Sequence, residues 1–427
     1  MTRTFLLGID GLPNWQWQEL ADMGVMPYSA ELLKTGTLLP MQSAIPEVSS
    51  SAWASIVTGR NPGGHNIFGF TDLIDGSYTL GFTSSRTFKA PPFWQLKNGR
   101  AHLIINVPQT YPALPLEGTL VSGYVALDLE RAVFPPEKLP FFEEIGYQVD
   151  ADMTAIEVSK DKFLTNLHEV LKIRLGALES LWDRESWDTI MFVITGTDRI
   201  NHYLWEDYED RSSPYYQKYL DFYREVDRIL ERIVSRLDDD STLIVISDHG
   251  FGRQEKSVNV NYLLHQHGYL ALEKSDYPSY IHMQPQTKAF AMDPGRVYLH
   301  REGRYPNGRI KNEEAAEVET ELAQLFLNAE VGGKKLVERV LRGRDVYSGP
   351  FTHRAPDLIL LAADGMALSG RMNVDELIEP TRINGKHTLE NATFFYRGAS
   401  QVEIPRPMKV EHVMQVMNQA NAVTFAA

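Results

Sequence analysis

The sequence contains no cysteine. This absence excludes disulfide bonds, thiolate metal sites and cysteine nucleophiles. Any transition-metal site in the protein must therefore be built from histidine, aspartate and glutamate side chains. The chain has 12 histidines and 56 acidic residues from which such a site could be assembled.

Basic residues are scarce relative to acidic ones. The chain has 42 lysines and arginines against 56 aspartates and glutamates, which gives a formal net charge of −14. A surface that binds a nucleic-acid polymer normally needs a basic excess, so the composition argues against such a partner. A small anionic substrate held by metal ions is compatible with an acidic chain.

Long apolar runs are missing as well. The apolar run before Asp10 is too short for the core of a signal peptide. No run in the sequence approaches the roughly 18 apolar residues of a membrane span. We therefore expect a cytoplasmic protein without a membrane span, and nothing in the sequence indicates an oligomeric state.

Apolar runs typical of buried strands alternate with segments of helical periodicity. The strand candidates lie at 4–9, 37–42, 102–106, 187–194 and 242–246, and the clearest helical periods lie at 161–184 and 216–237. Strands that alternate with helices in this way favour a parallel sheet covered on both faces. The sequence therefore predicts an α/β fold with a largely parallel central sheet flanked by helices on both faces.

The pattern changes after residue 264. A strand pair at 289–300 and a helix at 313–327 predict a smaller α+β cap inserted at residues 275–349. The core domain would then comprise residues 1–274 and 350–427. We expect the main sheet to resume at 357–361 and 393–396.

Three consecutive serines, Ser49, Ser50 and Ser51, precede a segment of helical character, residues 52–58, that Gly59 can end as a C-cap. A hydroxyl at a helix N-terminus lies beside backbone N–H groups that favour an anion, so a phosphate could bind next to a nucleophilic oxygen. A serine before a helix is more often a simple N-cap. The nucleophile hypothesis therefore needs support from elsewhere in the chain.

Candidate metal ligands follow apolar strands at three places and recur once late in the chain, as Asp10, Asp198, His202, Asp248, His249 and His387. Taken singly, each has an ordinary explanation, such as a helix cap or a surface pair. However, a spacing of four residues puts Asp198 and His202 on one face of a helix, within reach of one cation. Ligands in open α/β sheets bind at the carboxyl ends of the strands, so we expect the three aspartates to converge at one edge.

The order of these residues along the chain resembles that of the alkaline phosphatase superfamily. The order is Asp10, the Ser49 turn with VTGRNPGGH, Asp198 with His202, Asp248 with His249, and His387. The phrases AWASIVTGRNPGGHNIFGF, TDRINHYLW and SDHGFG are similar to its type I phosphodiesterase and nucleotide pyrophosphatase branch, especially the predicted intracellular phosphohydrolase/phosphomutase group. The similarity extends over nearly the whole chain.

The resemblance implies an alkaline-phosphatase-like fold and a two-metal-ion phosphodiesterase or nucleotide pyrophosphatase, usually with Zn²⁺ and with Mn²⁺ as the alternative. Its substrate would be a small-molecule phosphate ester, cleaved through a phosphoseryl intermediate. One metal ion would be held by Asp198, His202 and His387. The other would be held by Asp10, Asp248, His249 and the Oγ of Ser49, which the resemblance implies as the nucleophile. On chemistry alone, Ser50 and Ser51 stay alternatives.

Other activities fit the same motifs. A phosphomonoesterase or a phosphomutase would use the same site, and phosphonate hydrolysis stays open. Where the relatives often carry a base-stacking aromatic, directly after the nucleophile, this chain has Ser50. Where the relatives have a phosphate-binding asparagine, this chain has Gly69-Phe70. These two differences from the relatives weaken the prediction of a nucleotide substrate.

Two further classes of protein fit the sequence less well than a phosphate-ester hydrolase. A sulfatase is disfavoured because the serine triplet lacks the proline and arginine of the sulfatase motif. From another class, a non-catalytic metal- or anion-binding module would be expected to lack a ligand or the nucleophile. All six ligand positions and a hydroxyl are present in this sequence.

Overall fold

The computed structural model describes residues 3–421. Numbered along the chain, the strands are β1 (Thr4–Ile9), β2 (Thr37–Gln42), β3 (Thr71–Leu73), β4 (Leu80–Phe82), β5 (His102–Val107), β6 (Gly118–Ser122), β7 (Val133–Phe134), β8 (Thr189–Ile194), β9 (Thr242–Ile246), β10 (Gly250–Asn259), β11 (Ala289–Met292), β12 (Arg296–Leu299), β13 (Glu330–Val331), β14 (Lys334–Lys335), β15 (Val337–Arg342), β16 (Leu358–Ala362), β17 (Gly365–Ser369), β18 (Ile378–Glu379), β19 (Gly385–Thr388), β20 (Ala392–Arg397) and β21 (Met408–Lys409).

The α-helices are α1 (Asn14–Asp22), α2 (Pro27–Leu32), α3 (Ser49–Thr58), α4 (Pro62–His65), α5 (Leu139–Glu144), α6 (Ala155–Val158), α7 (Lys160–Arg184), α8 (Gly196–Glu209), α9 (Tyr216–Val234), α10 (Val260–Gln266), α11 (Asn312–Leu327), α12 (Gly343–Val346) and α13 (Val413–Ala420). Within the described residues, no helix combines the length and the apolar character that crossing a bilayer requires.

The central sheet has nine strands in the order β21-β2-β20-β9-β1-β8-β5-β6-β7. Its middle strands, from β9 through β1, β8 and β5 to β6, run parallel to one another, and antiparallel pairs occur only toward the two edges. β1, β8 and β9 are fully buried, as parallel strands covered on both faces must be. The predicted α/β fold with a largely parallel central sheet is confirmed.

Alternate side chains of β1 enter two separate cores, one on each face of the sheet. Phe5 and Leu7 belong to the apolar cluster that contains the buried faces of α7 and α9. Leu6 points to the opposite face and belongs to the cluster that contains Trp53 of α3 and Val413 of α13. Since successive side chains of a strand alternate between faces, this one strand anchors helices on both sides.

A second, antiparallel sheet has the order β11-β12-β16-β15 and shares an apolar core with α11. It contains the predicted strand pair and lies beside the predicted helix. The expectation that 357–361 rejoins the main sheet is wrong, because β16 pairs with β12 and β15 instead. A short apolar run does not identify its partner strands. β20 does return to the main sheet, between β9 and β2. The domain boundaries at 274/275 and 349/350 stay predictions.

A third sheet lies next to the carboxyl end of the central sheet. Its longest strand, β10, begins directly after β9 and pairs in parallel with β17. The first residues of β10 pair with β19, in an antiparallel register that sets His387 opposite Phe251. This pairing carries a histidine from late in the chain to the carboxyl end of the central sheet.

Candidate active site

Six of the predicted site residues lie close together. Three parallel strands and the antiparallel pairing of β10 with β19 bring them there. β9, β1 and β8 are adjacent and parallel, so Asp248, Asp10 and the first turn of α8 with Asp198 lie side by side at their carboxyl ends. His249 follows Asp248 directly, and His202 lies one helical turn beyond Asp198. The β10–β19 pairing adds His387.

Asp198, His202 and His387 present three acceptor atoms to one another. The Nε2 atoms of the two histidines are 3.0 Å apart. Oδ1 of Asp198 lies 3.1 Å from Nε2 of His387 and 3.4 Å from Nε2 of His202. Zinc ligands at roughly 2.0–2.1 Å in a tetrahedral arrangement lie about 3.3 Å apart, so the observed separations fit one shared cation.

Backbone carbonyls fix the tautomers of the three site histidines. Nδ1 of His202 donates to Gly385 O at 2.8 Å, and Nδ1 of His387 donates to Glu47 O at 3.1 Å. Nδ1 of His249 donates to the carbonyl of the next residue at 3.1 Å. A carbonyl only accepts, so each Nδ1 carries a proton, and in the neutral imidazole each Nε2 then presents a lone pair. This is how metal-bound histidines are oriented in proteins.

The second group consists of Asp10, Asp248 and His249. Nε2 of His249 lies 3.2 Å from Oδ2 of Asp248 and 3.7 Å from Oδ1 of Asp10. Oδ1 of Asp10 and Oδ2 of Asp248 are buried and have no hydrogen-bond partner among the described residues. A buried carboxylate oxygen without a partner is costly, and a bound cation would remove that cost.

The two groups are close enough to share a ligand. Nε2 of His249 lies 3.9 Å from Oδ1 of Asp198, and the rings of His249 and His387 stack with centroids 3.5 Å apart. Asp198, His249 and His387 therefore also form a set whose ligand atoms are within reach of one another. We keep His202 with Asp198 and His387, because its 3.0 Å and 3.4 Å distances are shorter than the 3.9 Å of His249.

Charge crowding sets the pKa values of the acidic groups. Burial raises the pKa of Asp10 well above its ordinary value, and the carboxylates of Asp248 and Asp198 raise it further. Burial also raises the pKa of Asp248, to about 6. Burial alone would raise the pKa of Asp198, but His202 and His387, through their positive charges when protonated and their hydrogen bonds, outweigh it and hold that pKa well below the ordinary value. Three buried carboxylates this close together favour a positive charge among them.

The Oγ of Ser49 lies 3.1 Å from Nε2 of His249, which is the point where the second group of ligands converges. Ser49 is the first residue of α3, so the helix begins earlier than the predicted segment 52–58 and includes all three serines. Ser50 and Ser51 are fully buried, and their hydroxyls have no partner among the described residues. Of the three candidate hydroxyls, the structure brings the one on Ser49 to the metal ligands.

A short hydrogen-bond chain holds helix α3 in place. The backbone N–H of Ile67 donates to Nδ1 of His65, so Nε2 of His65 carries the proton and donates to Oγ of Ser55 at 2.9 Å. That hydroxyl in turn donates to Ser51 O at 2.8 Å. Burial lowers the pKa of His65 to about 3, which keeps the ring neutral. The predicted C-cap is confirmed, because Gly59 has a φ of 64° and donates its N–H to Ser55 O.

Two neighbours of the ligands have roles that the motifs did not reveal. The indole Nε1 of Trp53 donates to Oδ2 of Asp10 at 3.1 Å, which orients that carboxylate. The guanidinium of Arg199 bridges Asp198 and Asp150 at 3.0 Å and 2.6 Å. Arg199 is therefore a structural ion-pair partner. Their positions in the sequence could have indicated these roles, because Trp53 is one helical turn after Ser49 and Arg199 is next to Asp198.

The family model described as type I phosphodiesterase / nucleotide pyrophosphatase matches residues 4–389. Among solved structures, the chain is similar to phosphonoacetate hydrolase from Sinorhizobium meliloti 1021 in complex with phosphonoformate, with 15% identity, a TM-score of 0.64 and coverage of 98% of this chain and 96% of that one. It is also similar to inactive murine ectonucleotide pyrophosphatase/phosphodiesterase 5 in complex with AMP, with 12% identity, a TM-score of 0.59 and coverage of 100% and 96%.

No curated protein sequence matches the chain. At these identities the structural similarities establish the shared fold, and the chemistry has to be argued from the side chains of the site itself.

Proposed function

We propose, from the premise that this chain belongs to the type I phosphodiesterase / nucleotide pyrophosphatase family, that it is a two-metal-ion hydrolase of small phosphate esters that acts through a phosphoseryl intermediate. The family consists of phosphoester hydrolases, so the reaction class follows from membership. The metal ions, the nucleophile and the intermediate are the parts that we add.

One observation carries the proposal. The Nε2 atoms of His202 and His387 face each other at 3.0 Å, with Oδ1 of Asp198 within 3.4 Å of both. Two acceptors at that distance repel each other unless a proton or a cation lies between them. Both Nδ1 atoms donate to backbone carbonyls, so both Nε2 atoms point at this spot, and a divalent cation there would satisfy all three ligand atoms at once, whereas one proton bridges only two of them.

The donor set also indicates which metal ions suit the site. It contains imidazole nitrogens and carboxylate oxygens in a chain without cysteine, a combination that suits Zn²⁺, with Mn²⁺ as the alternative. When bound, two such ions would lower the pKa of the serine hydroxyl and neutralise the charge of the phosphoryl group.

In the proposed reaction, Oγ of Ser49 loses its proton to solvent and attacks phosphorus in line with the leaving oxygen. The new bond joins Oγ to phosphorus, the ester bond breaks, and the leaving group departs with the electron pair. A water molecule then attacks phosphorus from the vacated side, and the bond between Oγ and phosphorus breaks. A proton returns to Oγ, and phosphate or a phosphate monoester is released. Trp53 keeps Asp10 oriented throughout, and α3 holds Ser49 against His249.

Nucleotide substrates have little support in this chain. Ser50 is fully buried, so the residue after the proposed nucleophile cannot stack on a base. At Gly69, an added side chain would lie 2.7 Å from the guanidinium of Arg296. That guanidinium is held by Asp293 O, Thr71 O and the hydroxyl of Tyr298, so an asparagine at position 69 is excluded by packing.

The two similar solved structures indicate which classes of substrate the fold can serve. One is a phosphonoacetate hydrolase and the other is a nucleotide pyrophosphatase/phosphodiesterase, so the shared fold serves both phosphonates and phosphate esters. We favour phosphate diesters, because the family model that covers the chain is that of phosphodiesterases. Phosphomonoesters, and transfer of the phosphoryl group back to a reoriented substrate, are the alternatives at the same site.

The proposal is tested by hydrolysis of bis(4-nitrophenyl) phosphate and 4-nitrophenyl phosphate, measured with Zn²⁺ or Mn²⁺ and again after EDTA treatment. We expect faster release of nitrophenolate from the diester, loss of that activity in EDTA, and its return when the metal is added back. The structural reason is that six of the predicted ligands converge in one cluster, with three carboxylates close enough together to favour a bound cation.

The other outcomes separate the alternatives. A preference for the monoester would assign a phosphomonoesterase, and retention of the phosphoryl group on an added alcohol would assign a transferase or mutase. Metal binding without hydrolysis of either ester would assign a non-catalytic module. Hydrolysis that continues unchanged in EDTA would contradict the metal-dependent mechanism.

A further inference from the structure

A cavity of about 230 Å³ opens directly beside the first group of metal ligands. His202 and His387 form part of its wall, together with Glu47 and Val48, the two residues that precede Ser49. None of Asp10, Asp248 and His249 lines it. A phosphoryl group bound between Ser49 and the two histidines would therefore have this cavity as the space for one of its substituents.

Most of the remaining wall is aliphatic. It comes from β16, β17 and the segment before β19, and consists of Leu360, Ala362, Met366, Ala367, Leu368 and Ile383. Apart from the two histidines, no described residue of the lining has an aromatic ring. A nucleobase is normally held by stacking on an aromatic side chain, so this wall offers apolar burial without a base-stacking surface.

The size of the cavity limits what it can hold. A closed apolar cavity of about 150 Å³ accommodates one benzene molecule. At about 230 Å³, the cavity beside His202 and His387 has room for a single ring or a short branched alkyl chain. A nucleoside, with a base and a ribose, would not fit within it and would extend into solvent.

The ammonium group of Lys386, which is half-buried, links two parts of the wall. Nζ of Lys386 donates to Ala363 O at 2.9 Å and to Met366 O at 2.7 Å. These two bonds tie β19, which carries His387, to the turn between β16 and β17. The apolar wall and the metal ligand are therefore held at a constant separation, which is the arrangement expected of a preformed substrate pocket.

Charge at the cavity discriminates among substituents. Glu47, Asp293 and Lys386 all line the cavity, and the ammonium of Lys386 donates to the carbonyl oxygens of Ala363 and Met366. The acidic side chains outnumber the ammonium, so a substituent that carries a carboxylate would enter a largely apolar space with an excess of negative charge. The cavity therefore favours an uncharged substituent.

We propose that this cavity binds the organic substituent of the substrate and that the preferred substituent is a compact, uncharged apolar group, such as one aryl ring or a short alkyl chain. The inference rests on the proposed function, because it takes the phosphoryl group to be held at Ser49 and the metal ligands. It adds a substrate class, apolar phosphate esters in place of nucleotides, that the family alone does not assign.

The test measures binding separately from turnover. In Zn²⁺-loaded Ser49→Ala protein, isothermal titration calorimetry would give Kd values for inorganic phosphate, methyl phosphate, phenyl phosphate and AMP. We expect phenyl phosphate to bind about tenfold more tightly than methyl phosphate, since burying a ring of this size is favourable by more than a factor of ten in affinity. AMP should bind no more tightly than methyl phosphate.

Filling the cavity should remove that preference. Ala362→Phe, with Ala367→Leu as the second variant, places extra volume in the cavity from two different positions. In either variant we expect phenyl phosphate to lose its tenfold advantage while the Kd of inorganic phosphate stays the same. Ala316→Phe, on the exposed face of α11, is the matched control and should keep the full advantage.

Equal Kd values for phenyl and methyl phosphate, tighter binding of AMP, or an undiminished phenyl preference in a folded filled variant would each overturn the inference. Failure of the proposed function looks different. The wild-type protein would then show no metal-dependent hydrolysis, while the phenyl preference of the Ser49→Ala protein would still support the cavity as a binding site.

Discussion

Replacement of Ser49 by alanine is expected to lower the turnover of the best phosphate ester on the order of 10³-fold or more while leaving the metal content unchanged. Oγ of Ser49 is the hydroxyl that the structure places 3.1 Å from Nε2 of His249, at the edge of the ligand cluster. Removing it takes away the attacking atom but none of the six imidazole and carboxylate donors. Steady-state kinetics would give kcat, and inductively coupled plasma mass spectrometry would give the zinc content per chain.

Ser50→Ala is the matched control, because it makes the same chemical change one residue further along α3. The hydroxyl of Ser50 is fully buried and has no partner among the described residues. Its removal should therefore leave turnover within a few-fold and should not destabilise the fold. Full activity in Ser49→Ala, or a loss in Ser50→Ala that matches it, would contradict the assignment of Ser49 as the nucleophile.

The second large effect is expected at His202. Its replacement by alanine removes one of three donors whose ligand atoms lie within 3.4 Å of one another. We expect bound zinc to fall from about two ions per chain to about one, and kcat/KM to fall by more than about 100-fold, since even indirect ligand partners cost 10- to 100-fold. Equilibrium dialysis against Zn²⁺ and steady-state kinetics would measure the two losses.

His353→Ala is the control for that experiment. His353 is an exposed histidine whose Nδ1 donates to Pro350 O, and it contacts none of the ligands described above. Its variant should bind the same amount of zinc as the wild type. Two zinc ions retained in His202→Ala would show that His202 is not a ligand and would favour the alternative set of Asp198, His249 and His387.

The fold was predictable where side-chain pattern and strand order reinforce each other. Apolar runs that end in Asp10, in the turn before Asp198 and in Asp248 belong to three adjacent parallel strands, so their convergence follows from the rule that such strands share a carboxyl edge. The helix C-cap at Gly59 was predictable for a similarly local reason, because a glycine after a helical segment readily adopts a positive φ.

Long-range pairing was harder to predict. The run at 357–361 has the composition of a main-sheet strand, but it pairs with β12 and β15 in the second sheet, since register and partner depend on residues far away in sequence. The approach of His387 depends on the β10–β19 pairing in the same way. The motif resemblance, which supplies such long-range information indirectly, is what pointed to that histidine.

Features that arise from packing gave no signal in the sequence. The apolar cavity is assembled from β16, β17 and the segment before β19, and no periodicity in those segments reveals that their side chains surround one space. Likewise, the choice among three adjacent serines depends on which hydroxyl faces His249 when α3 begins at Ser49, and helix starts are not fixed by sequence pattern to the residue.

The central claim is that two cations occupy this cluster next to Ser49. Crystals grown with Zn²⁺ and measured at the zinc absorption edge would test it by anomalous scattering. We predict two peaks about 4 Å apart, one among Asp198, His202 and His387 and the other among Asp10, Asp248, His249 and Oγ of Ser49. The absence of any peak among these side chains, with the protein folded and zinc present in excess, would contradict the account.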